Sequence, residues 1–185
     1  MNNRVTSYDG IAGFYFRKII EEIIAILKKN TAERSITVLD FGCGRNFLKN
    51  LIILNKLNKK IKVIGFDINQ NFSDISCWKS IKFDYFVANH VFYLFTKNEL
   101  NNLIKKIQSL RPGSKIIFGC SNQNLLNKIG MKILSKINAH DQTKLSKKQQ
   151  LDIILQYSRI LMKVNVFFLT EIYLLEFKNN DNTAR

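Results

Sequence analysis

An acidic residue and two closely spaced glycines follow an apolar run near the start of the chain. Asp40 lies at the end of the run 36–41, which is typical of a buried strand, and Gly42 and Gly44 come next. Glycine permits a positive φ and has no Cβ, so this turn can hold a nucleoside or a dinucleotide. The dinucleotide fingerprint carries a further glycine and no acid here, and a carboxylate repels phosphate. Asp40 therefore favours a cationic or amino-bearing ligand.

Two further polar residues end apolar runs of the same kind. Asp67 follows the run 61–66, and Asn89 closes the run 83–89. The carboxyl ends of parallel strands meet at one edge of a sheet, and ligands bind there in open α/β sheets. We therefore expect Asp40, Asp67 and Asn89 to lie at one rim.

The elements that must position these residues alternate along the chain. We predict strands over 36–41, 61–66, 83–89, 115–120, 164–169 and 172–177. Helical spacing predicts helices over 11–27, 46–57 and 124–137, and capping boxes at Thr96–Glu99 and Ser146–Gln149 begin two more, the last with apolar residues as far as Leu161. Strands alternating with helices indicate an α/β fold with a mostly parallel sheet, helices on both faces and a terminal antiparallel hairpin.

Size and composition limit the class of protein. The 185 residues suit a single domain over 1–185, with an N-terminal helical segment over 1–30 that is too charged to be a signal peptide or a membrane span. Three widely spaced cysteines without partner histidines argue against a metal site and favour a reducing, cytoplasmic location. The net charge of +15 allows anionic partners such as nucleic acid, although lysines spread along the whole chain favour solvated surfaces.

Four segments together resemble the class I S-adenosylmethionine-dependent methyltransferases. Segment 39–44 is similar to the first motif of the family, 63–68 to the second, 83–94 to the fourth-strand motif and 110–117 to the turn before the fifth strand. The resemblance implies a Rossmann-like three-layer sandwich with a seven-stranded-type sheet whose last strand is reversed. It also implies S-adenosylmethionine as cofactor.

The resemblance assigns cofactor roles to matching positions. Asp40 would face the ammonium of the methionine part, and the turn formed by Gly42, Cys43 and Gly44 would admit that part of the cofactor. Asp67 would bind both ribose hydroxyls, and Ile68 would cover one face of adenine. Asn89 would lie near the amino acid moiety.

Two departures from the family pattern concern the same pocket. Asn46 replaces the third small residue of the glycine turn, where it can adopt a left-handed conformation but leaves less room. Only 16 residues separate Asp67 from Asp84, which predicts a shortened edge at the third strand. Asp74 and Ile75 can still supply the acid and the apolar residue that meet adenine, with Trp78 or Phe72 as a lid, or the segment can be a plain connecting loop.

The two histidines are the candidate general bases for methyl transfer. His90 follows the fourth-strand motif, and His140 lies beside Asp141 within 122–145, the segment that in the family shapes the acceptor pocket. We expect methyl transfer to an oxygen of a small molecule or a carbohydrate or lipid-linked precursor. An RNA methyltransferase and a catalytically silent scaffold of the same fold are the alternatives, and the sequence leaves the oligomeric state open.

Overall fold

The computed structural model describes residues 10–29, 31, 34–122 and 143–178. Its strands are β1 (Ile36–Phe41), β2 (Ile61–Phe66), β3 (Tyr85–Asn89), β4 (Lys115–Ser121), β5 (Ser158–Val166) and β6 (Thr170–Phe177). Its helices are α1 (Gly10–Lys29), α2 (Phe47–Leu54), α3 (Lys97–Leu110) and α4 (Lys147–Tyr157).

The described strands form one six-stranded sheet in the order β2-β1-β3-β4-β6-β5. Strands β1 to β4 run parallel, whereas β6 is antiparallel to β4 and β5 is antiparallel to β6. The predicted mostly parallel sheet with an antiparallel C-terminal hairpin is therefore confirmed. The shortened edge is confirmed as well, because segment 68–83 adds no strand and β2 ends the sheet.

Helices cover both faces of the sheet, which makes the predicted three layers. On one face, Ile19, Ile23 and Leu27 of α1 pack with α2 against alternate residues of the strands. On the other face, Leu100, Ile104 and Ile107 of α3 pack with Ile153 and Ile154 of α4. Strands β1 to β4 and β6 therefore contribute to both apolar cores, as expected for strands covered on two sides, whereas the edge strand β5 contributes to the α1 side only.

Both predicted capping boxes begin helices. The Thr96 hydroxyl accepts from the backbone N–H of Glu99 and the Glu99 carboxylate accepts from the backbone N–H of Thr96; Ser146 and Gln149 repeat the pattern. Each box satisfies N–H groups that a helix start leaves without partners.

The prediction that the last helix continues to Leu161 is wrong. Helix α4 ends at Tyr157, and Ile160 and Leu161 lie in β5, which begins at Ser158. Ser158 occupies the position where the helical pattern needs another apolar residue, and its hydroxyl donates to the Ile154 carbonyl. The following apolar residues then pair with β6 through a register shift between Ile160 and Met162. The predicted helix 124–137 lies outside the described residues.

Candidate functional site

The glycine turn lies at the carboxyl end of β1, beside the end of β3. Gly42 and Gly44 have φ angles of 76° and 52°, in the region that side chains rarely adopt. The Gly42 N–H donates to the Phe66 carbonyl at 2.7 Å, which ties the turn to the end of β2. A Cβ on Gly42 would lie 2.5 Å from Cγ2 of Val91, whereas a Cβ on Gly44 would meet nothing within 4 Å. The turn therefore packs closely on one side and is open on the other.

Asp40 is a buried carboxylate directly below this turn. Burial raises its pKa to about 7, and the negative charges of Asp67 and Asp74 act in the same direction. Lys49 is the ion-pair partner of Asp74, at 2.8 Å from Oδ1. A cationic group brought to Asp40 would relieve the repulsion among the three carboxylates, so the site is electrostatically prepared for a positive charge.

Asp67 is held in a fixed orientation at the end of β2. Its Oδ2 accepts from the Gly44 N–H at 3.0 Å and its Oδ1 accepts from the Asn69 N–H at 2.9 Å. Each carboxylate oxygen keeps a second lone pair for a further donor, such as a hydroxyl. The next residue, Ile68, is 94% exposed. A fully exposed isoleucine beside an oriented carboxylate suits a ligand that carries hydroxyls next to a flat apolar ring.

Segment 68–83 covers the edge of β2. The Asp74 Oδ2 accepts from the Gly65 N–H at 2.8 Å, and the Asp74 N–H donates to the Gly65 carbonyl at 2.9 Å. Ser73 adds to this cover, since its hydroxyl accepts from the Asp67 N–H at 3.2 Å. Asp74, the acid that the sequence predicted to contact adenine, thus makes the hydrogen bonds to β2 that a neighbouring strand would make.

The other residues suggested for the adenine pocket have different surroundings. Ile75 packs against the core on the α3 side. Trp78 is buried with its ring edge against Phe41, so it does not form the lid that the sequence suggested. Phe72 contributes its carbonyl, which accepts from the Asn46 side chain at 2.8 Å.

Asn46 adopts the left-handed conformation expected of it, with φ 57° and ψ 36°. Its Oδ1 is buried without a hydrogen-bond partner in the described structure and lies where a Cβ on Gly65 would be only 2.2 Å away. The side chain therefore points towards β2 and leaves the open side of the glycine turn free. Cys43 packs against the same glycine, and burial raises the pKa of its thiol to about 12, so the thiol stays neutral and donates to the Phe72 carbonyl at 3.4 Å.

Asn89 ends β3 next to the glycine turn. Its Oδ1 is buried without a hydrogen-bond partner among the described residues, 2.3 Å from the place that a Cβ on Gly119 would take. The Oδ1 of Asn89 therefore points towards β4, which lies on the side of β3 away from the glycine turn. An unsatisfied buried oxygen costs about 1–3 kcal/mol.

His90 is held between two hydroxyl groups. It has a φ of 54°, its Nε2 lies 3.1 Å from Oγ1 of Thr170, and its Nδ1 lies 3.2 Å from Oγ of Ser121. Thr170 also hydrogen-bonds the hydroxyl of Tyr15 on α1, whose pKa is raised by burial. The sequence predicted His90 but missed these partners, because only the pairing of Ser121 with Thr170 in the sheet brings them together.

The remaining predicted base and the acceptor-side segment fall elsewhere. His140 lies outside the described residues, as does nearly all of 122–145.

Within the described ranges, no group of three or more possible metal ligands comes together. No described helix is long and apolar enough to span a bilayer.

No protein-family model matches the sequence, and a comparison with curated proteins finds no match either. Solved structures do match. A Pyrococcus horikoshii protein has a TM-score of 0.64 at 16% identity, covering 94% of both chains. Magnesium protoporphyrin IX methyltransferase from Synechocystis, with bound S-adenosylmethionine, has a TM-score of 0.60 at 14% identity over 96% of this chain and 87% of that one. A Sulfolobus solfataricus protein that is assigned to the type 11 methyltransferases has a TM-score of 0.62 at 14% identity, covering 89% of this chain and 95% of that one. The chain therefore has the fold of the class I S-adenosylmethionine-dependent methyltransferases.

Proposed function

We propose that the protein is an S-adenosylmethionine-dependent methyltransferase that acts on an oxygen of a small molecule or of a glycan or lipid precursor. The observation that carries the proposal is the buried carboxylate of Asp40 under two glycines with positive φ. A scaffold that only kept this fold needs no buried acid at that place, and the acid raises the free energy of the folded state. A ligand with an ammonium group explains why it is there.

The residues present fit the cofactor. Asp40 would face the ammonium, the backbone of Gly42, Cys43 and Gly44 would border the methionine part, and Asn89, at the end of the neighbouring β3, would lie near the amino acid moiety. Asp67, already aligned by two N–H groups, would accept from both ribose hydroxyls. The exposed Ile68 would cover adenine.

For Asp74 and Ile75 we propose an indirect contribution to cofactor binding. Asp74 holds Gly65 from the side of β2, and Ile75 anchors the same segment in the core. Together they fix the segment that follows Ile68, so the adenine-covering side chain emerges from a constrained backbone.

Neighbours of the same fold support the class of reaction. The Synechocystis magnesium protoporphyrin IX methyltransferase binds S-adenosylmethionine, and human N-acetylserotonin methyltransferase was also solved with it. When bound, this cofactor supplies an electrophilic methyl group. Positioning of an acceptor oxygen supplies much of the rate, and a base is needed where the oxygen must lose a proton.

His90 is the described residue that we propose as this base. In a neutral imidazole, one nitrogen accepts a hydrogen bond, and that nitrogen can take up a proton. Both of its ring nitrogens lie within hydrogen-bond distance of a hydroxyl, from Thr170 or from Ser121. Thr170 is fully buried, so the acceptor proton would reach the imidazole through the hydroxyl of Ser121. Four predictions from the sequence remain proposals: the catalytic role of His140, the acceptor-side role of 122–145, the single domain over 1–185 and the cytoplasmic location.

Isothermal titration calorimetry with S-adenosylmethionine and S-adenosylhomocysteine tests the proposal. We expect the wild-type protein to bind both, and Asp67→Ala to bind at least tenfold more weakly because it loses a charge-assisted pair of hydrogen bonds, worth about 1.5–3 kcal/mol each. Asp152→Ala, on α4, removes an exposed carboxylate and is the matched control. Absence of binding by the wild-type protein at high micromolar cofactor refutes the proposal. Binding without methyl transfer to any hydroxyl-bearing acceptor favours the scaffold.

A further inference from the structure

The chain between Asp40 and Asp67 carries cations and no acids. Its positively charged residues are Arg45, Lys49, Lys56, Lys59, Lys60 and Lys62. Lys49 is paired with Asp74, with Nζ at 2.8 Å from Oδ1. The other five cations form no ion pair with another described residue. Positive charge is therefore concentrated along α2 and the start of β2, and most of it is not neutralised within the described structure.

The last turn of α2 exposes two adjacent apolar side chains. Ile53 is 50% exposed and Leu54 is 74% exposed. Leu51 and Ile52, the residues before them, are buried in the core on the α1 side. Single exposed aliphatic side chains are common on protein surfaces, but this turn directs two neighbours away from the core. The helix therefore ends in a small apolar surface.

Lys56 follows this turn in a left-handed conformation, with a φ of 56°. Its N–H donates to the Ile53 carbonyl at 2.9 Å, and the Leu57 N–H donates to the Ile52 carbonyl at 2.9 Å. These two hydrogen bonds form a Schellman motif, in which the left-handed position usually holds glycine or asparagine because a Cβ is strained there. The chain thus has a lysine next to the apolar pair at a position where glycine would be less strained.

The turn between α2 and β2 places two more lysines close to Lys56. The Lys60 N–H donates to the Leu57 carbonyl at 2.9 Å, which closes this turn. Lys59 and Lys60 are exposed, as Lys56 is. We call Ile53, Leu54, Lys56, Lys59 and Lys60 the α2 tip. It combines an exposed aliphatic pair with three cations.

The α2 tip lies at the opposite end of the strands from the candidate site. The Lys60 carbonyl accepts from the Ile36 N–H at 2.9 Å, so the tip is at the amino ends of β1 and β2. The glycine turn is at the carboxyl end of β1, and α2 runs from that turn to the tip over a length of about 12 Å. A partner bound to the tip therefore leaves the rim with Asp40 and Asp67 accessible.

The described residues that border the longer undescribed segments lie away from the tip. Near the start of α1, Phe14 lies against Phe167 in the turn between β5 and β6, with ring centroids 6.0 Å apart. The Lys144 N–H donates to the Tyr93 carbonyl, between β3 and α3, at 2.8 Å. Lys178 follows β6, and three strands separate β6 from β2. The described neighbours of the α2 tip therefore leave it open.

From these observations we infer that the α2 tip binds the surface of an anionic phospholipid bilayer. Ile53 and Leu54 enter the boundary between headgroups and acyl chains, where burial of aliphatic side chains is favourable. The surrounding lysines contact the anionic headgroups through their ammonium groups. Nucleic acid suits the tip less well, because bases stack on aromatic rings and guanidinium planes rather than on aliphatic side chains. This inference does not rest on the proposed function.

Sedimentation with lipid vesicles, without cofactor, tests the inference. We expect the wild-type protein to bind vesicles of phosphatidylcholine and phosphatidylglycerol, and to bind at least tenfold more weakly to phosphatidylcholine alone or at high salt. One double variant, Ile53→Ser, Leu54→Ser, removes the apolar pair. The other, Lys59→Gln, Lys60→Gln, removes two charges. We expect each to bind the anionic vesicles at least tenfold more weakly than the wild type.

Each double variant has a matched control elsewhere in the chain. Ile160→Ser, Leu161→Ser removes an adjacent isoleucine–leucine pair of β5 that is 45% and 42% exposed. Lys105→Gln, Lys106→Gln removes two adjacent exposed lysines of α3, on the other face of the sheet. We expect both controls to bind the anionic vesicles like the wild type.

The variant Lys56→Gly separates binding from folding. Because glycine relieves the left-handed strain, we expect this variant to unfold at a higher temperature than the wild type. Because it also loses one cation of the tip, we expect it to bind the anionic vesicles at least threefold more weakly. Weaker binding by a more stable protein cannot result from unfolding.

Several outcomes would overturn the inference. They are absence of binding to the anionic vesicles, binding like the wild type by either double variant of the tip or by Lys56→Gly, and a loss of affinity in a control as large as in its matched variant. The inference is also overturned if the wild type binds a short single-stranded RNA more tightly than the vesicles and Lys59→Gln, Lys60→Gln removes that binding. The tip would then be a nucleic-acid surface.

Discussion

Replacing Asp40 with asparagine should stabilise the protein while weakening its binding of S-adenosylmethionine. The change keeps the size of the side chain and removes a carboxylate whose pKa is raised from 3.8 to about 7, chiefly by burial. The folded state therefore holds a proton that the unfolded state releases, and stability falls as the pH rises from about 4 to about 7. A shift of this size corresponds to about 4 kcal/mol of lost stability above pH 7.

Urea denaturation across the pH range measures this effect. Between pH 5 and pH 8 the wild-type protein should lose about 2.5 kcal/mol more stability than Asp40→Asn, because the pKa difference acts over that interval. Calorimetry at pH 7.5 should show that the same variant binds S-adenosylmethionine at least tenfold more weakly. For 5′-methylthioadenosine, which lacks the ammonium group, the two proteins should bind alike.

Two results would refute the reasoning on Asp40. The first is an equal dependence of stability on pH in the wild type and in Asp40→Asn, which would mean that the carboxyl group does not titrate near neutral pH in the folded state. The second is an equal loss of affinity for both ligands, which would mean that the variant distorts the turn. Asp152→Asn, at an exposed carboxylate of α4, controls for the loss of one negative charge.

Three further predictions concern other parts of the structure. Burial acts to raise the pKa of Glu171, but its hydrogen-bonded lysines and tyrosine lower it to about 2. Glu171→Gln should therefore destabilise the protein by on the order of 3 kcal/mol at pH 7. In urea denaturation, the difference in stability between wild type and variant should shrink as the pH falls from 4.5 towards 2. Gly65→Ala places a Cβ 2.2 Å from Asn46 Oδ1, so thermal unfolding should show a loss of about 1–3 kcal/mol, whereas Gly113→Ala, with nothing within 4 Å, should be neutral. If the proposed base is correct, His90→Gln should lower kcat with little change in KM. An unchanged kcat would exclude His90 as the base.

Much of the fold follows from local patterns in the sequence. Strands β1 and β2 have the predicted limits because each is a short apolar run that ends at an acid or a glycine. The start of β5 was not predictable in this way. Its apolar residues continue the spacing of α4, and only pairing with β6 makes them a strand.

The candidate site also contains residues that local patterns predict and residues that they do not. Asp40, Gly42 and Asp67 are found from motifs, because their roles depend on position within one strand and its turn. The position of Asp74 at the sheet edge, and the hydroxyl groups around His90, depend on residues far apart in the chain. No local pattern signals them, since the hydrogen bonds exist only after the sheet has formed.

The cover over β2 has a consequence for the behaviour of the protein in solution. An uncovered edge strand offers free N–H and carbonyl groups to another chain, which leads to intermolecular strand pairing and aggregation. Asp74 occupies both backbone groups of Gly65, and Lys49 adds a charge at the same edge. The same short segment carries Ile68 and closes the side of the pocket. Resistance to aggregation and the shape of the proposed nucleoside pocket therefore depend on one loop, and a substitution that loosens it should impair both together.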